Sequence, residues 1–321
     1  MTRLILAALA TLAPLTVAAQ DAAPTPEDIA AASYDGGDLP EGQSAITVVV
    51  QTLLDRAGIS PGVIDGYAGG MSTSAISAFE TREGLTVDGA MDAEVWSALG
   101  GEGASAILQN YTITEEDTNV FGSALPEDYA ELAELDAMPY ERVSEAVAER
   151  FHMDEDFLVE LNPGAGFTAG ETVTVIATGE PLSGTVARIE VRKPSQRLVA
   201  FDAEDNIIGN YPVTIGSDDT PSPEGEVEVL AVAFDPTYSY NPSENFQQGD
   251  NEEPLTLPPG PNGPVGTIWI DLSEPTYGIH GTPHPSKLFT NASHGCVRMT
   301  NWDAEELAEM VEEGTMVSFV E

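Results

Sequence analysis

The chain contains the segment Ser293-His294-Gly295-Cys296-Val297-Arg298-Met299, and Cys296 in this segment is the only cysteine among its 321 residues. A second histidine precedes it in Ile279-His280-Gly281-Thr282. A lone cysteine cannot form an intrachain disulfide, and a thiol near two histidines and an arginine has the neighbours it needs to become a thiolate. The pattern indicates a nucleophile with a nearby base.

Three residues of these segments have a predicted chemical role beside Cys296. An imidazole can take the proton of the thiol and later return it to a leaving amine, and His280 is the predicted base. His294 lies two residues from Cys296, on the same face of an extended segment, and competes for that role. Gly295 permits a close backbone turn that would point nearby N–H groups at a developing oxyanion.

A zinc site is the alternative reading of the same residue types. His280, His284, His294 and Cys296 are all potential zinc ligands. Two histidines four positions apart form a metal site most readily on a helix, and Gly281, Pro283 and Pro285 prevent a helix here. The sequence therefore favours a nucleophile over a metal centre, and it indicates no cofactor.

The composition excludes one class of partner. Asp and Glu number 54 against 11 Lys and Arg, which gives a net charge of −43. Nucleic-acid phosphates would be repelled by such a chain. The acidity is read as a solvated, solubilising surface. Arg298, which lies two residues from the thiol, is a candidate to bind an anionic group of a substrate.

The N-terminus predicts export. Arg3 is followed by an apolar stretch from Leu4 to Val17, and small residues then mark a cleavage site before Gln20. Residues 1–19 are predicted to be a signal peptide, and no later segment is apolar enough for a transmembrane anchor. Residues 20–43 lack periodicity and are predicted to be a flexible leader.

Residues 44–100 are predicted to form a small bundle of three short helices. An apolar stripe of Val48, Val49, Leu53 and Leu54 ends at Gly58, and Thr73 is predicted to cap a second helix. The order of residues resembles the three-helix peptidoglycan-binding domain, although Glu80 stands where that family usually has glutamine. The matching segments are Val49-Gln51-Leu53-Leu54, Asp65-Gly66, Ala78-Phe79, Gly84-Leu85, Val87-Asp88-Gly89 and Trp96-Ala98-Leu99.

Two further segments precede the cysteine region. Residues 101–138 are predicted to be an acidic, irregular linker with an isolated helical stretch near Asp128 to Leu135. Residues 139–179 combine an amphipathic helix, a second helix capped by Asp154 and a strand at 172–176. This unit resembles the LysM glycan-binding module, with its first strand missing or disguised around 138–142; the alternative is a structural spacer. His152 is predicted to be an exposed residue at a helix end.

Residues 184–321 are predicted to form a mixed, mainly β sandwich or barrel. Apolar and polar residues alternate at 189–191 and 196–201, and a turn leads into 207–215. The Pro- and Gly-rich tract 235–264 is too long for a simple turn and is predicted to be a lid or a substrate-groove loop. A helix is predicted from Thr300 or Asn301 to Val311.

This region resembles the catalytic domain of YkuD-type L,D-transpeptidases. The motif consists of a His-Gly-Thr, a spacer, and Ser-His-Gly-Cys followed by a hydrophobic residue, Arg and Met, with Asn two positions after Met. It is matched by His280, Gly281, Thr282, Ser293, His294, Gly295, Cys296, Val297, Arg298, Met299 and Asn301.

The resemblance implies a reaction and residue roles. Cys296 would attack a peptidoglycan tetrapeptide stem, with His280 as base oriented by the Gly281 carbonyl, and His294 would shape the site. Arg298, Ser293, Thr282 and Asn301 are the predicted substrate-binding set. In it, Arg298 pairs with a carboxylate or holds the loop, and Ser293 and Asn301 brace loops. The thioester would pass to a second stem as a 3-3 crosslink, to water, or to a lysine of an outer-membrane protein, and carbapenems would acylate the cysteine.

Overall fold

The computed structural model describes residues 23–217, 219–243, 246–290 and 292–321. The predicted signal peptide at 1–19 lies outside these residues. Within them, no helix combines the length and the apolar character needed to cross a bilayer.

The N-terminal module contains four helices, α1 Pro26–Ala31, α2 Ala45–Arg56, α3 Gly70–Glu83 and α4 Ala93–Ala98. The predicted apolar stripe on α2 is buried, and Ser44 caps this helix by accepting from the Thr47 N–H. The start of α3 differs from the prediction, because Gly69 rather than Thr73 is its N-cap residue. Glu80 is buried and accepts from the N–H groups of Asp88 and Gly89.

The sequence predicts a flexible leader at residues 20–43, and this prediction is wrong for Pro26–Ala31, which form α1. Thr25 and Asp28 form a capping box at its start, and Ile29 is only 1% exposed. Ile29 belongs to the same buried cluster as α2 and α3. A single apolar side chain in a six-residue helix is too weak a periodic signal to predict this docking from sequence.

The middle unit runs through β1 Leu108–Thr112, α5 Tyr129–Leu132, α6 Val143–Arg150, α7 Glu155–Leu161 and β2 Thr172–Ile176. β1 pairs antiparallel with β2, from Leu108 opposite Ile176 to Thr112 opposite Thr172. The first strand is therefore at 108–112 and not around 138–142, and it lies inside the segment that the sequence predicts to be an irregular linker. The predicted helices at 128–135 and after Asp154 are present.

The C-terminal region forms one eight-stranded mixed sheet in the order β11-β10-β9-β6-β12-β3-β4-β5. Its strands are β3 Arg188–Arg192, β4 Arg197–Phe201, β5 Ile207–Pro212, β6 Gly225–Phe234, β9 Ile268–Leu272, β10 Gly278–His280, β11 Val297–Arg298 and β12 Met316–Val320. A bridge between Thr214, just after β5, and Arg298 of β11 joins the two ends of the sheet. The sheet therefore curls on itself, in agreement with the mainly β prediction.

One helix, α8 Asn301–Met310, covers this sheet and begins directly after the cysteine segment. Thr300 caps it by accepting from the Asp303 N–H. Ala304 and Leu307 are fully buried in the same cluster as the inward side chains of the strands. This packing fixes the position of the α8 N-terminus behind β10 and β11.

Within the tract 235–264, which the sequence predicts to be a lid or a substrate-groove loop, two short strands pair as a hairpin. β7 Tyr238–Tyr240 pairs antiparallel with β8 Leu255–Leu257. The hairpin has its own small core, which includes Tyr240 and Leu257 together with Leu132 of α5 and Met138.

The modules contact one another directly. Ile59 of the first module forms a bridge with Asn210 of β5, and the Ser60 hydroxyl donates to Asp303 of α8 at 2.9 Å. His152 is not the exposed residue that the sequence suggests: its Nδ1 lies 2.9 Å from Asp55 Oδ1, and its ring stacks on Trp302.

Candidate active site

Parallel pairing of β10 with β11 brings His280 next to the segment that carries Cys296, which lies directly before β11. Ile279 lies opposite Val297, and His280 lies opposite Arg298. Cys296 lies in the bend directly before β11, and the Gly278 N–H and the Arg298 charge both act on its thiol. A Cβ on Gly278 would lie 2.5 Å from the Trp269 ring.

The His280 ring has a defined tautomer. Its Nδ1 lies 2.7 Å from the Gly281 carbonyl oxygen, which can only accept, so Nδ1 carries the proton and Nε2 is left as the acceptor. The side chain is buried, and burial together with the Arg298 charge lowers its pKa to about 4. His280 is therefore a neutral imidazole with a basic Nε2 at neutral pH.

The Cys296 thiol is protonated at rest. Burial raises the pKa of this thiol, and the Gly278 N–H and the Arg298 charge act in the opposite direction without offsetting it. Its Sγ lies 3.7 Å from the Thr276 carbonyl oxygen, a long distance that suits a weak S–H donor. Proton transfer therefore has to accompany attack on a substrate, which is the role that the sequence predicts for an adjacent base.

The turn before Cys296 requires glycine at position 295. Gly295 has φ of 114°, and a Cβ there would lie 2.5 Å from the Tyr277 ring. Its N–H donates to Ser293 Oγ at 3.1 Å, and the Ser293 hydroxyl donates to the Cys296 carbonyl. Ser293 therefore braces this turn, and the Gly295 N–H is already used and is not available to an oxyanion.

Asn301, the first residue of α8, joins the loop after His280 to α8 and to α6. Its Oδ1 accepts from the Thr282 N–H at 3.1 Å, and its Nδ2 donates to Glu149 Oε2 of α6 at 2.9 Å. A Cβ on Gly281 would lie 2.2 Å from that Oδ1, so glycine allows this close approach. The amide fixes the backbone immediately after His280.

Glu149 is a site residue that the sequence analysis missed. It is buried in the middle unit, 152 residues from Asn301 in the chain, and burial is the main cause that raises its pKa to about 8. The only sequence signal is that Glu149 falls three residues after Ala146, on the apolar face of its helix.

Arg298 and His294 each lie two residues from Cys296 in the chain, and the Arg298 charge acts on the thiol. Arg298 is partly buried and forms no ion pair with any carboxylate that the structure describes. The His294 ring stacks on Phe246 at 4.8 Å, with 12° between the planes. Thr282 is buried, and its hydroxyl accepts a hydrogen bond from the His284 N–H. Thr282 therefore shapes the loop after His280. His284 lies outside the group formed by His280, Cys296 and Arg298.

A cavity of about 810 Å³ lies elsewhere in the described part of the chain. It opens at the junction of the three modules and is lined by acidic residues that include Asp55, Glu149 and Asp303. Neither Cys296 nor His280 lines it, so the cavity is separate from the thiol and imidazole.

Comparison with known proteins agrees with this geometry. Residues 186–318 match the YkuD family, the L,D-transpeptidase catalytic domain, and residues 44–99 match a peptidoglycan binding domain family. The chain is 32% identical over 178 residues to the L,D-transpeptidase YkuD of Bacillus licheniformis, covering 54% of this chain and 91% of that protein. The chain belongs to the L,D-transpeptidase family.

Two further matches are more distant. This L,D-transpeptidase is 30% identical over 184 residues to the Escherichia coli L,D-transpeptidase YbiS, covering 55% of this chain and 60% of that protein. An NMR structure of the catalytic domain of an E. faecium L,D-transpeptidase acylated by ertapenem has 24% identity and a TM-score of 0.33, covering 43% of this chain and 98% of that one.

Proposed function

We propose that this chain is a cysteine L,D-transpeptidase that acts on peptidoglycan tetrapeptide stems through a thioester on Cys296. The observation that carries the proposal is the imidazole of His280, whose Nδ1 is held by the Gly281 carbonyl and whose Nε2 is left as a base on the strand next to the thiol. This pair can transfer a proton in both directions, as acyl transfer requires.

The first half-reaction forms the thioester. Cys296 Sγ attacks the carbonyl between the L-centre of the diamino acid at stem position three and the terminal D-alanine, and its proton passes to His280 Nε2. His280 then gives that proton to the leaving amine, and D-alanine departs. Starting from an uncharged Cys296 thiol and an uncharged His280 imidazole has an advantage, because the imidazolium then forms only while the oxyanion of the tetrahedral intermediate exists.

The second half-reaction releases the acyl group. The side-chain amine of a second stem attacks the thioester, and one of its protons passes to His280 Nε2. Collapse of the intermediate expels the Cys296 thiolate, which takes the proton back. The product is a 3-3 crosslink. Water in place of the amine would give an L,D-carboxypeptidase, and a lysine of an outer-membrane protein would give an anchoring enzyme.

The neighbouring polar residues have supporting roles in this proposal. Arg298 binds a substrate carboxylate, since none of the described carboxylates neutralises it. Ser293 holds the turn around Gly295, and Asn301 holds Thr282 and thereby the His280 loop. His294, stacked on Phe246, forms part of the substrate wall.

The other modules would direct the enzyme to the wall. The peptidoglycan-binding domain supports a role on an exported, periplasmic or wall-associated chain, with stem peptides and glycan strands as partners. The middle unit has three helices, the short α5 and then α6 and α7, between its paired strands, and the succession α6-α7-β2 supports the LysM-like reading and a glycan-binding role.

Product analysis tests the proposal. The full-length protein is incubated with purified tetrapeptide stems, and the products are identified by mass spectrometry. We expect D-alanine release and crosslinked dimers from the wild-type protein, and neither from Cys296→Ala. Hydrolysed tripeptide as the sole product would assign the carboxypeptidase reaction instead. Turnover by Cys296→Ala would refute the mechanism, and an inactive wild-type protein that still binds peptidoglycan would favour a second function, that of a wall-binding protein without catalysis.

A further inference from the structure

The segment between β1 and α6 contributes to the active-site region although it lies outside residues 186–318, which match the catalytic family. Leu132 of α5 and Met138 share a buried cluster with Tyr240 and Leu257 of the β7–β8 hairpin. The core of this hairpin is therefore completed by side chains from another module.

Hydrogen bonds fix the segment on the hairpin tract. The Tyr129 N–H donates to Gln248 Oε1 at 3.1 Å, and the Met138 N–H donates to the Pro259 carbonyl at 2.8 Å. A Cβ on Gly260 would lie 2.1 Å from the Met138 carbonyl oxygen, so the backbones meet as closely as glycine allows. This contact is too specific for a passive linker.

Aromatic rings extend from α5 to the segment that carries the nucleophile. The Tyr129 ring lies edge-on to the rings of Tyr240 and Phe246, at centroid distances of 5.1 and 6.1 Å. Phe246 in turn stacks on His294 at 4.8 Å, and His294 is two residues from Cys296. These rings form a continuous row from α5 to the segment that carries Cys296.

Two polar groups in this region have no protein acceptor among the residues that the structure describes. The hydroxyl of Tyr129, a partly buried residue, forms no hydrogen bond there, and the Arg298 guanidinium forms no ion pair. The two groups are close enough for the Arg298 charge to lower the Tyr129 pKa against the stronger effect of burial, which raises it to about 12. A hydroxyl donor and a guanidinium in the same region suit a carboxylate ligand.

We propose that Tyr129, supplied by α5, is a substrate-binding residue that holds the carboxylate of the donor stem together with Arg298. Its ring contacts the aliphatic part of the same stem. An ammonium group is disfavoured at this position because Arg298 would repel it. The proposal rests on the proposed function, since it takes the tetrapeptide stem as donor.

Two donors test it in the full-length protein. One is a tetrapeptide stem with a free C-terminal carboxylate, and the other is the same stem with a C-terminal carboxamide. Release of D-alanine or its amide gives kcat and KM for each. For Tyr129→Phe we expect KM for the free acid to rise about tenfold with kcat nearly unchanged, since a hydrogen bond to a charged group is lost. KM for the carboxamide should not change.

Two control variants separate binding from folding. Tyr67→Phe removes a hydroxyl from an exposed tyrosine of the first module and should leave both donors unaffected. Leu132→Ala loosens α5 but keeps the Tyr129 hydroxyl, so it should raise KM for both donors by the same factor. Equal effects of Tyr129→Phe on acid and carboxamide, or no effect, would overturn the role of Tyr129. Absence of D-alanine release from the wild-type protein would instead overturn the proposed function itself.

Discussion

At the scale of single residues, the hydrogen bond between His280 Nδ1 and the Gly281 carbonyl determines which ring nitrogen is free. It uses the Nδ1 proton and leaves Nε2 as the acceptor. Many catalytic imidazoles are oriented by a carboxylate, which also stabilises the charged ring. A backbone carbonyl is neutral, so the buried His280 keeps a low pKa and returns its proton readily.

A first prediction concerns His280→Ala. Acylation of Cys296 by a carbapenem, followed as one added mass on the intact protein, should be slow in this variant at neutral pH, because the thiol has no base. The rate should recover partly at alkaline pH. Burial raises the Cys296 pKa, so recovery should begin above the ordinary thiol value of about 8.5.

His294→Ala is the matched control for this prediction. It removes a second imidazole from the same region but leaves the proposed base, so its acylation rate should fall less than that of His280→Ala. The reverse order would mean that His294 is the base. A His280→Ala variant that is as fast as wild type at neutral pH would show that His280 does not activate the thiol.

At the scale of secondary-structure elements, α6 supports the active site through α8. Glu149 of α6 accepts from Asn301, and Asn301 accepts from the backbone after His280. Asn301 Nδ2 has one other acceptor, the Pro261 carbonyl at 3.2 Å. A residue of the middle unit therefore positions the catalytic loop.

A second prediction follows for Glu149. Glu149→Gln keeps an acceptor for Asn301 and should retain kcat within about twofold, whereas Glu149→Leu should lower kcat roughly tenfold through loss of this buried hydrogen bond. Steady-state kinetics on tetrapeptide stems measures both. Equal activity of the two variants, with equal melting temperatures, would contradict a positioning role.

The elements differ in how far the sequence predicts them. α2 and α7 were predictable because their apolar spacing and their caps, Ser44 and Asp154, are local signals. The Cys296 turn and the His280 segment were predictable because their residue types are chemically unusual. β1 was not, since only pairing with a strand 60 residues away defines it. The same holds for Glu149 and Tyr129, whose partners are distant in the chain.

At the scale of the whole molecule, several acidic groups are buried where the modules meet. Burial is the main cause that raises the pKa of Glu149 to about 8 and that of Asp303 to about 7. The folded state keeps protons on these groups that the unfolded state has lost, so their contribution to stability falls as pH rises. His152, whose pKa is also raised, acts in the same direction.

A third prediction is that stability decreases from pH 6.5 to pH 8. Two histidines with lowered pKa, His280 and His284, oppose the trend near and below pH 6.5, where the unfolded histidines still bind protons, and this opposition fades well before pH 8. Between pH 6.5 and 8 the free energy of unfolding should fall by on the order of 2 kcal/mol. Urea denaturation at fixed ionic strength measures it.

Glu149→Gln serves as the control for the stability trend. It removes one titrating carboxyl and should make the decrease shallower by about half. If the free energy of unfolding of Glu149→Gln falls with pH as steeply as that of the wild-type protein, Glu149 is not protonated in the folded protein at pH 6.5.

The bridge between Thr214 and Arg298 has a consequence for how peptides can bind. Open sheet edges offer unpaired N–H and carbonyl groups, and many proteins bind extended peptides by adding them there as a further strand. In this molecule the β11 edge beside the nucleophile is occupied by the chain's own backbone, through two hydrogen bonds of 2.9 Å each. A stem peptide at Cys296 cannot pair with this edge as an added strand, so the side chains around the thiol have to recognise it.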